Sequence, residues 1–205
     1  MSAATASSRA HRLSVSGKVR AVLALGTVLG LGTVATLAAF TDTVTATGSF
    51  STGVLDLKLN DQDSTTALTG LTMTAAKPGD TTYALLTVKN AGSLPFGYTY
   101  ATTSTTGTDP QVLAAALNFG VASLGTAADT STAPTCNAGA FTAATTVVTA
   151  ATTKLSAGPA TAAPRPLGVG QVEYLCVRAE VAPDAGNAVQ AKSVTATMTV
   201  TATQQ

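Results

Sequence analysis

Histidine and charged residues are scarce in this chain, and tryptophan is absent. The only histidine is His11, and Asp, Glu, Lys and Arg together make up 10% of the residues. Histidine is the side chain that most often serves as general base or metal ligand near neutral pH, and none follows residue 11. No H-E-x-x-H sequence of a zinc peptidase occurs either. We therefore expect a protein that is not an enzyme and uses no cofactor and no metal.

Positive charge is concentrated at the N-terminus. An uncharged run from Ala21 to Thr41 follows a basic segment containing Arg9, Arg12, Lys18 and Arg20. This order is typical of a secretory signal peptide. Signal peptidases need small residues one and three positions before the cut, and Thr36-Leu37-Ala38 meets that need. The sequence predicts a signal peptide over residues 1–38, cleaved between Ala38 and Ala39.

The same uncharged run is about twenty residues long, enough to span a bilayer as an uncleaved anchor. Its many Gly, Thr and Ala residues favour cleavage instead. After cleavage, seven basic and ten acidic residues remain, a net charge near −3. No Lys/Arg patch follows the leader, so we expect no nucleic-acid partner. We expect a location outside the cell, in the extracellular matrix or at the cell surface, with membrane contact only through the uncleaved leader.

The remaining residues are rich in Thr, Ala, Val and Gly, which suits either a disordered stalk or an all-β domain. Apolar and polar residues alternate in several stretches, and alternation indicates half-buried strands. The predicted strands contain Leu55–Leu59, Thr81–Lys89, Phe96–Tyr100, Leu175–Val181 and Val194–Val200. We predict an all-β, jelly-roll-like β-sandwich over residues 49–205, with one short helix and Ala/Thr-rich loops.

The predicted helix begins after Asp109, which can cap it, with Pro110 at its first position. Leu117, Phe119 and Val121 are apolar residues at every second position, so we predict that the helix ends near Ala115 and that a strand follows. Continuation of the helix to Gly120 is the alternative. For residues 125–168 we predict long loops, with a weak strand around Thr145–Leu155.

The chain has two cysteines, Cys136 and Cys176. In an exported protein an even pair is most simply a disulfide. Closing a loop of about forty residues stabilises a fold by about 4 kcal/mol on the chain-entropy model. A catalytic thiolate is the alternative, but it needs a neighbouring base and no histidine is available.

Residues 39–48 form a short segment with one moderately apolar face. Phe40, Val44 and Ala46 alternate with threonines, although Asp42 interrupts the apolar side. Such a segment can add to an exposed sheet edge of another molecule. We predict a donor strand containing Phe40, Thr41, Asp42, Val44 and Ala46. The alternative is an ordinary edge strand that folds onto its own domain.

Several motifs resemble those of camelysin/TasA-type proteins. They are, in order, Ala39-Phe40-Thr41-Asp42, Thr47-Gly48-Ser49-Phe50, Gly53-Val54-Leu55-Asp56-Leu57, Lys77-Pro78-Gly79-Asp80, the run from Val88 to Pro95, and the ending Thr203-Gln204-Gln205. The resemblance implies a secreted jelly-roll sandwich whose leader is cut by a dedicated signal peptidase of the SipW type. Several such proteins are subunits of biofilm-matrix fibres, joined when the N-terminal segment of one subunit completes a sheet of its neighbour.

The resemblance thus implies a fibre subunit whose partners are other copies of itself, the signal peptidase, and cell-wall or matrix components. Two alternatives stay open. The first is a secreted binding module that does not polymerise, for which Tyr83, Phe96, Tyr98 and Tyr100 could form an aromatic platform, although alternating aromatics are more often core. The second is a camelysin-like peptidase. The sequence has one acidic cluster, which contains Asp56, Asn60, Asp61 and Asp63. It lacks the Gly and Glu residues that a calcium loop requires, so we interpret it as a solvated turn.

Overall fold

The computed structural model describes residue 49 and residues 51–64, 67–128, 132–142 and 146–204. Contacts divide the chain into two units, Met1–Phe50 and Ser51–Gln205, and only the second is described below. The predicted signal peptide, cleavage site and donor strand lie outside the described residues. Their boundaries stay predictions.

The described unit contains eight strands and one α-helix. The strands are β1 (Leu57–Leu59), β2 (Thr81–Asn90), β3 (Phe96–Thr106), β4 (Leu117–Ala128), β5 (Val147–Thr149), β6 (Arg165–Leu167), β7 (Gln171–Val181) and β8 (Thr195–Gln204), and the helix is α1 (Pro110–Ala116). Single 3-10 turns lie at Thr69–Leu71, Ala138–Phe141, Leu155–Ala157 and Asn187–Val189.

The strands form two antiparallel sheets, which confirms the predicted all-β sandwich. One sheet has five strands in the order β1-β2-β7-β4-β5, and the other has three in the order β6-β3-β8. In the larger sheet Leu86 of β2 pairs with Leu175 of β7. In the smaller sheet Tyr100 of β3 pairs with Val200 of β8. Because the larger sheet has five strands and the smaller one has three, an edge strand of the larger sheet can lack a facing strand in the smaller sheet.

Alternating side chains fill the space between the sheets. On β3 the rings of Phe96, Tyr98 and Tyr100 are at most 2% exposed, so these aromatics are core residues and do not form a surface platform. Across from them lie apolar side chains of β2, β4 and β7, including Leu86, Val88, Phe119, Val121, Leu175 and Val177. Period-two patterning therefore predicted the core-facing residues correctly.

The helix α1 ends one residue beyond the predicted Ala115, and β4 begins at Leu117. The longer helix to Gly120 is thereby excluded. The prediction that Asp109 caps the helix is wrong. Asp109 has a left-handed backbone (φ 46°) and makes no side-chain cap bond; its carboxylate instead pairs with Lys192. A left-handed residue does not have the extended backbone that a capping side chain normally requires.

Residues 125–168 contain more regular structure than the sequence predicted. β4 continues to Ala128, and β6 pairs with β3 inside a proline-rich stretch. The weak strand expected around Thr145–Leu155 is confined to Val147–Thr149. The first core strand is also shorter than predicted, because it begins at Leu57 while Leu55 remains 40% exposed.

Cys136 and Cys176 form a disulfide, with their Cα atoms 5.1 Å apart. Cys176 is fully buried on the central strand β7, and Cys136 lies in the loop before the 3-10 turn Ala138–Phe141. The bond holds this loop against the outer face of the larger sheet. There Ala122, Ala140 and Cys176 form a second small apolar cluster, joined by Tyr83 and Phe141, whose ring centroids are 6.4 Å apart. β7 is consequently buried on both faces.

Candidate strand-acceptor site

The strand β8 forms one margin of the smaller sheet. Within the described part of the chain its only strand neighbour is β3, so one side of its backbone is unpaired there. β8 is ten residues long and contains no charged residue and no proline. Long, uncharged edge strands are templates for pairing with another chain. We call this unpaired side of Thr195–Gln204 the acceptor edge.

The side chains that β8 turns toward the core are incompletely covered. Met198, Val200 and Ala202 pack against the core but are only half-buried, whereas the core-facing side chains of β3 beside them are buried. In the described fold the sandwich is therefore open along this margin. An added strand with an apolar face would cover these side chains and gain the hydrophobic free energy of that burial.

The other side of β8 is lined by threonine. Thr195, Thr197, Thr199, Thr201 and Thr203 are all exposed, and they alternate with the core-facing residues. Threonine has a high strand propensity, because its branched side chain suits a pleated surface. The strand thus carries a pattern of apolar residues inward and threonine outward.

The remaining sheet margins are poorer acceptors. β1, β5 and β6 are each three residues long. β1 contains Lys58, which forms an ion pair with Asp63 at 2.5 Å. β6 contains Pro166, which has no backbone N–H to donate. Short length, lysine and proline are the usual devices that protect an edge from association, and β8 has none of them.

A hydrogen-bonded cluster joins the two sheets behind β6. Glu173 of β7 is 1% exposed, and its carboxylate accepts hydrogen bonds from the Arg165 side chain, from Tyr98 Oη at 2.6 Å and from Ser123 Oγ at 2.6 Å. Burial, reinforced by the charge of Glu173, raises the pKa of Tyr98 far above its usual value. Burial alone would lower the pKa of Arg165, but its hydrogen bond to Glu173 and the charge of that carboxylate raise it. We call these four residues the Glu173 cluster.

The sequence analysis did not predict the Glu173 cluster, although the position of Glu173 in its strand indicates it. Glu173 precedes Leu175, Val177 and Ala179 with the same period of two, so it belongs to the core-facing side of β7. A carboxylate at such a position must have hydrogen-bonding or charged partners. The basic partner, Arg165, lies in the proline-rich stretch that was predicted as a loop.

The family model described as camelysin metallo-endopeptidase matches residues 11–205. Because the match covers nearly the whole sequence, the chain belongs to this family. No curated protein matches the chain.

The family description implies a catalytic metal, and the described residues do not fit one. No group of three His, Cys, Asp or Glu side chains close enough to share an ion exists among them. Both cysteines are bonded to each other in the disulfide, so neither offers a thiolate to a metal. In the acidic cluster singled out from the sequence, Asp61 pairs with Lys89 and Asp63 with Lys58, while Asn60 Oδ1 accepts from the backbone of Thr87.

Helices in the described ranges are all short. None is long and apolar enough to cross a membrane.

Proposed function

We propose that this protein is a secreted structural subunit of an extracellular or biofilm-matrix fibre. In this proposal the leader is removed between Ala38 and Ala39, and the freed segment of one copy pairs with the acceptor edge of the next. The proposal rests on one structural observation above all, the long, uncharged and half-covered edge of β8. Family membership and the resemblance to camelysin/TasA-type proteins support it.

The sequence of the donor segment suits this edge. In residues 39–48 threonines alternate with Phe40, Asp42, Val44 and Ala46, and in β8 threonines alternate with Ala196, Met198, Val200 and Ala202. A strand with that pattern, added beside β8, would continue the threonine face outward and the apolar face inward. Both segments are ten residues long. Asp42 is the exception, and its burial would oppose docking unless it finds a partner.

Pairing of this kind joins two different surfaces of the same protein. A head-to-tail contact does not close on itself unless the rotation between subunits happens to close a ring, so it generates open filaments. Cleavage then controls assembly, because an uncut leader keeps Phe40 tethered at the membrane. The alternative is docking of the segment onto its own β8, which would leave the protein monomeric.

The test compares a chain beginning at Ala39 with one beginning at Gly53. We expect the first to sediment as polymer and to show fibres by negative-stain microscopy, and the second to remain monomeric. Ala202→Lys in the longer chain places an inward charge on the acceptor edge and should also abolish fibres. Ala101→Lys, on the exposed face of β3, which lies between β6 and β8, is the matched control and should still polymerise. Equal sedimentation of the Ala39 and Gly53 chains would refute the proposal.

The proposed role is not enzymatic, in contrast to the description of the family. The support is chemical: apart from Asp184, the acidic and cysteine side chains in the described fold are paired with lysine, arginine or each other. Casein cleavage by purified protein, abolished by a chelator and restored by zinc, would overturn this part of the proposal.

A further inference from the structure

A cleft lies at the margin of the sandwich formed by β5 and β6. One depression of about 740 Å³ is lined by residues of β4, β5, β6 and the segment 161–164, and a second of about 590 Å³ adjoins it. Ser123, Gly125 and Arg165 line both depressions. The two therefore meet at Arg165 and together form one elongated surface, which we call the Arg165 cleft. It does not include the acceptor edge.

Three members of the Glu173 cluster, Ser123, Arg165 and Glu173, line this cleft. Arg165 Nε lies 3.1 and 3.2 Å from the two carboxylate oxygens of Glu173, so the guanidinium is held in a fixed orientation. The Arg165 side chain nevertheless stays 28% exposed, while the Glu173 side chain is 2% exposed. A buried ion pair rarely stabilises a fold more than apolar residues of the same size would. Its clear effect here is to present an oriented guanidinium to the cleft without a net charge.

The walls combine neutral hydrogen-bonding groups with apolar patches. Gln171 Oε1 accepts from the backbone N–H of Gly168 at 2.7 Å, which fixes the side-chain amide whose NH₂ group can donate to a ligand. Thr126 and Thr161 line the same depression, and Thr135 and Asn137 line its neighbour. The apolar lining comes from Val147, Val148, Pro164 and Pro166.

The charge and the lining of the cleft indicate which class of ligand it can bind. Among the described residues that line the cleft, only Arg165 and Glu173 are charged, and they neutralise each other, so a strongly charged ligand would gain little binding free energy. An extended peptide would also gain little binding free energy by pairing with β5 or β6, because each strand is three residues long and β6 contains Pro166. A chain of neutral sugars matches better: its hydroxyls both donate and accept, and its ring faces pack on apolar side chains. We propose that the Arg165 cleft binds a neutral oligosaccharide. This binding does not require fibre formation.

The probes are cellohexaose, maltohexaose and N-acetylchitohexaose, titrated into the mature protein beginning at Ala39 and followed by calorimetry. We expect at least one of them to bind with a Kd on the order of 0.01–1 mM, an affinity suited to repeated contacts along a polymer. Because the site carries no net charge, raising the salt concentration to about 1 M should change Kd by less than about twofold. An acidic oligogalacturonate should bind more weakly.

Thr126→Arg places a bulky side chain in the cleft from an exposed position of β4 and should weaken binding at least about tenfold. Thr103→Arg, on the exposed face of β3 away from the cleft, is the matched control and should bind normally. Circular dichroism and unfolding curves establish that both variants are folded. Arg165→Lys, which keeps the charge but loses the planar fork, should also weaken binding. No binding by any probe, equal binding by Thr126→Arg and native protein, or tighter binding of the acidic sugar would overturn the proposal.

Discussion

The hydroxyl of Tyr98 is the most informative single group to remove. Tyr98 and Tyr100 are neighbours on the inward face of β3 and are 0% and 2% exposed. Tyr98 Oη donates to the Glu173 carboxylate at 2.6 Å, whereas Tyr100 Oη contacts the hydroxyl of Thr149 at 2.5 Å. The two substitutions Tyr98→Phe and Tyr100→Phe delete the same atom from equally buried rings. They differ chiefly in the charge of the partner that is left behind.

The magnitudes follow from that difference. A hydrogen bond to a charged group contributes about 1.5–3 kcal/mol, and one between neutral groups about 0.5–1.5 kcal/mol. We therefore expect Tyr98→Phe to lower the free energy of unfolding by about 2 kcal/mol and Tyr100→Phe by about 1 kcal/mol. For a domain of this size 1 kcal/mol corresponds to a change in Tm of about 2–4 °C. Glu173 keeps its bonds from Arg165 and Ser123 in both variants, so neither should prevent folding.

The assay is urea unfolding of the disulfide-bonded protein, followed by circular dichroism. Slopes that match the native protein would show that the midpoint shifts report stability alone. Repeating Tyr98→Phe in a Glu173→Gln background isolates the charge: the cost of removing the hydroxyl should fall to that of Tyr100→Phe. If Tyr100→Phe costs as much as Tyr98→Phe, or if the Glu173→Gln background leaves the cost of Tyr98→Phe unchanged, the account of the Glu173 cluster is wrong.

Two further predictions concern the disulfide and alkaline pH. Replacing Cys136 and Cys176 by alanine opens a loop with a sequence separation of 40, and the free energy of unfolding should fall by about 4 kcal/mol; urea curves that coincide with those of the native protein would contradict this. Burial raises the pKa of both Tyr98 and Tyr100, so the folded state keeps phenol protons that the unfolded chain releases. Stability from this source is complete below about pH 10, the ordinary tyrosine value, and is lost as pH rises above it. Tyrosinate absorbance from these two residues should appear only with unfolding, and its appearance in a still-folded protein would refute the prediction.

Much of the fold could be predicted from the sequence because β2, β3 and β8 alternate between more buried and more exposed residues. Phe96, Tyr98 and Tyr100 occupy every second position of β3 and are all buried, as their period implies. The end of the helix followed from the same rule, since Leu117 and Phe119 begin the alternation of β4. Local patterning suffices where one face of a strand is buried and the other is not.

Other features depend on contacts between distant residues. β6 is a strand only because Arg165–Leu167 pairs with β3, and its own Pro166 disfavours a strand. The helix-capping rule failed at Asp109 because its backbone is left-handed, and its carboxylate pairs instead with Lys192, 83 residues away. The open margin of β8 depends on the order of strands in the sheet, and alternation in one segment does not reveal that order.

The most direct test of strand addition is hydrogen exchange of the mature protein before and after polymerisation, read by mass spectrometry on peptides covering residues 39–48 and 195–204. If the N-terminal segment of one copy pairs with β8 of another, both peptides should become protected together, while peptides from β1, β5 and β6 exchange as in the monomer. Fibres in which residues 195–204 exchange as fast as in the monomer would contradict the assignment of β8 as the acceptor.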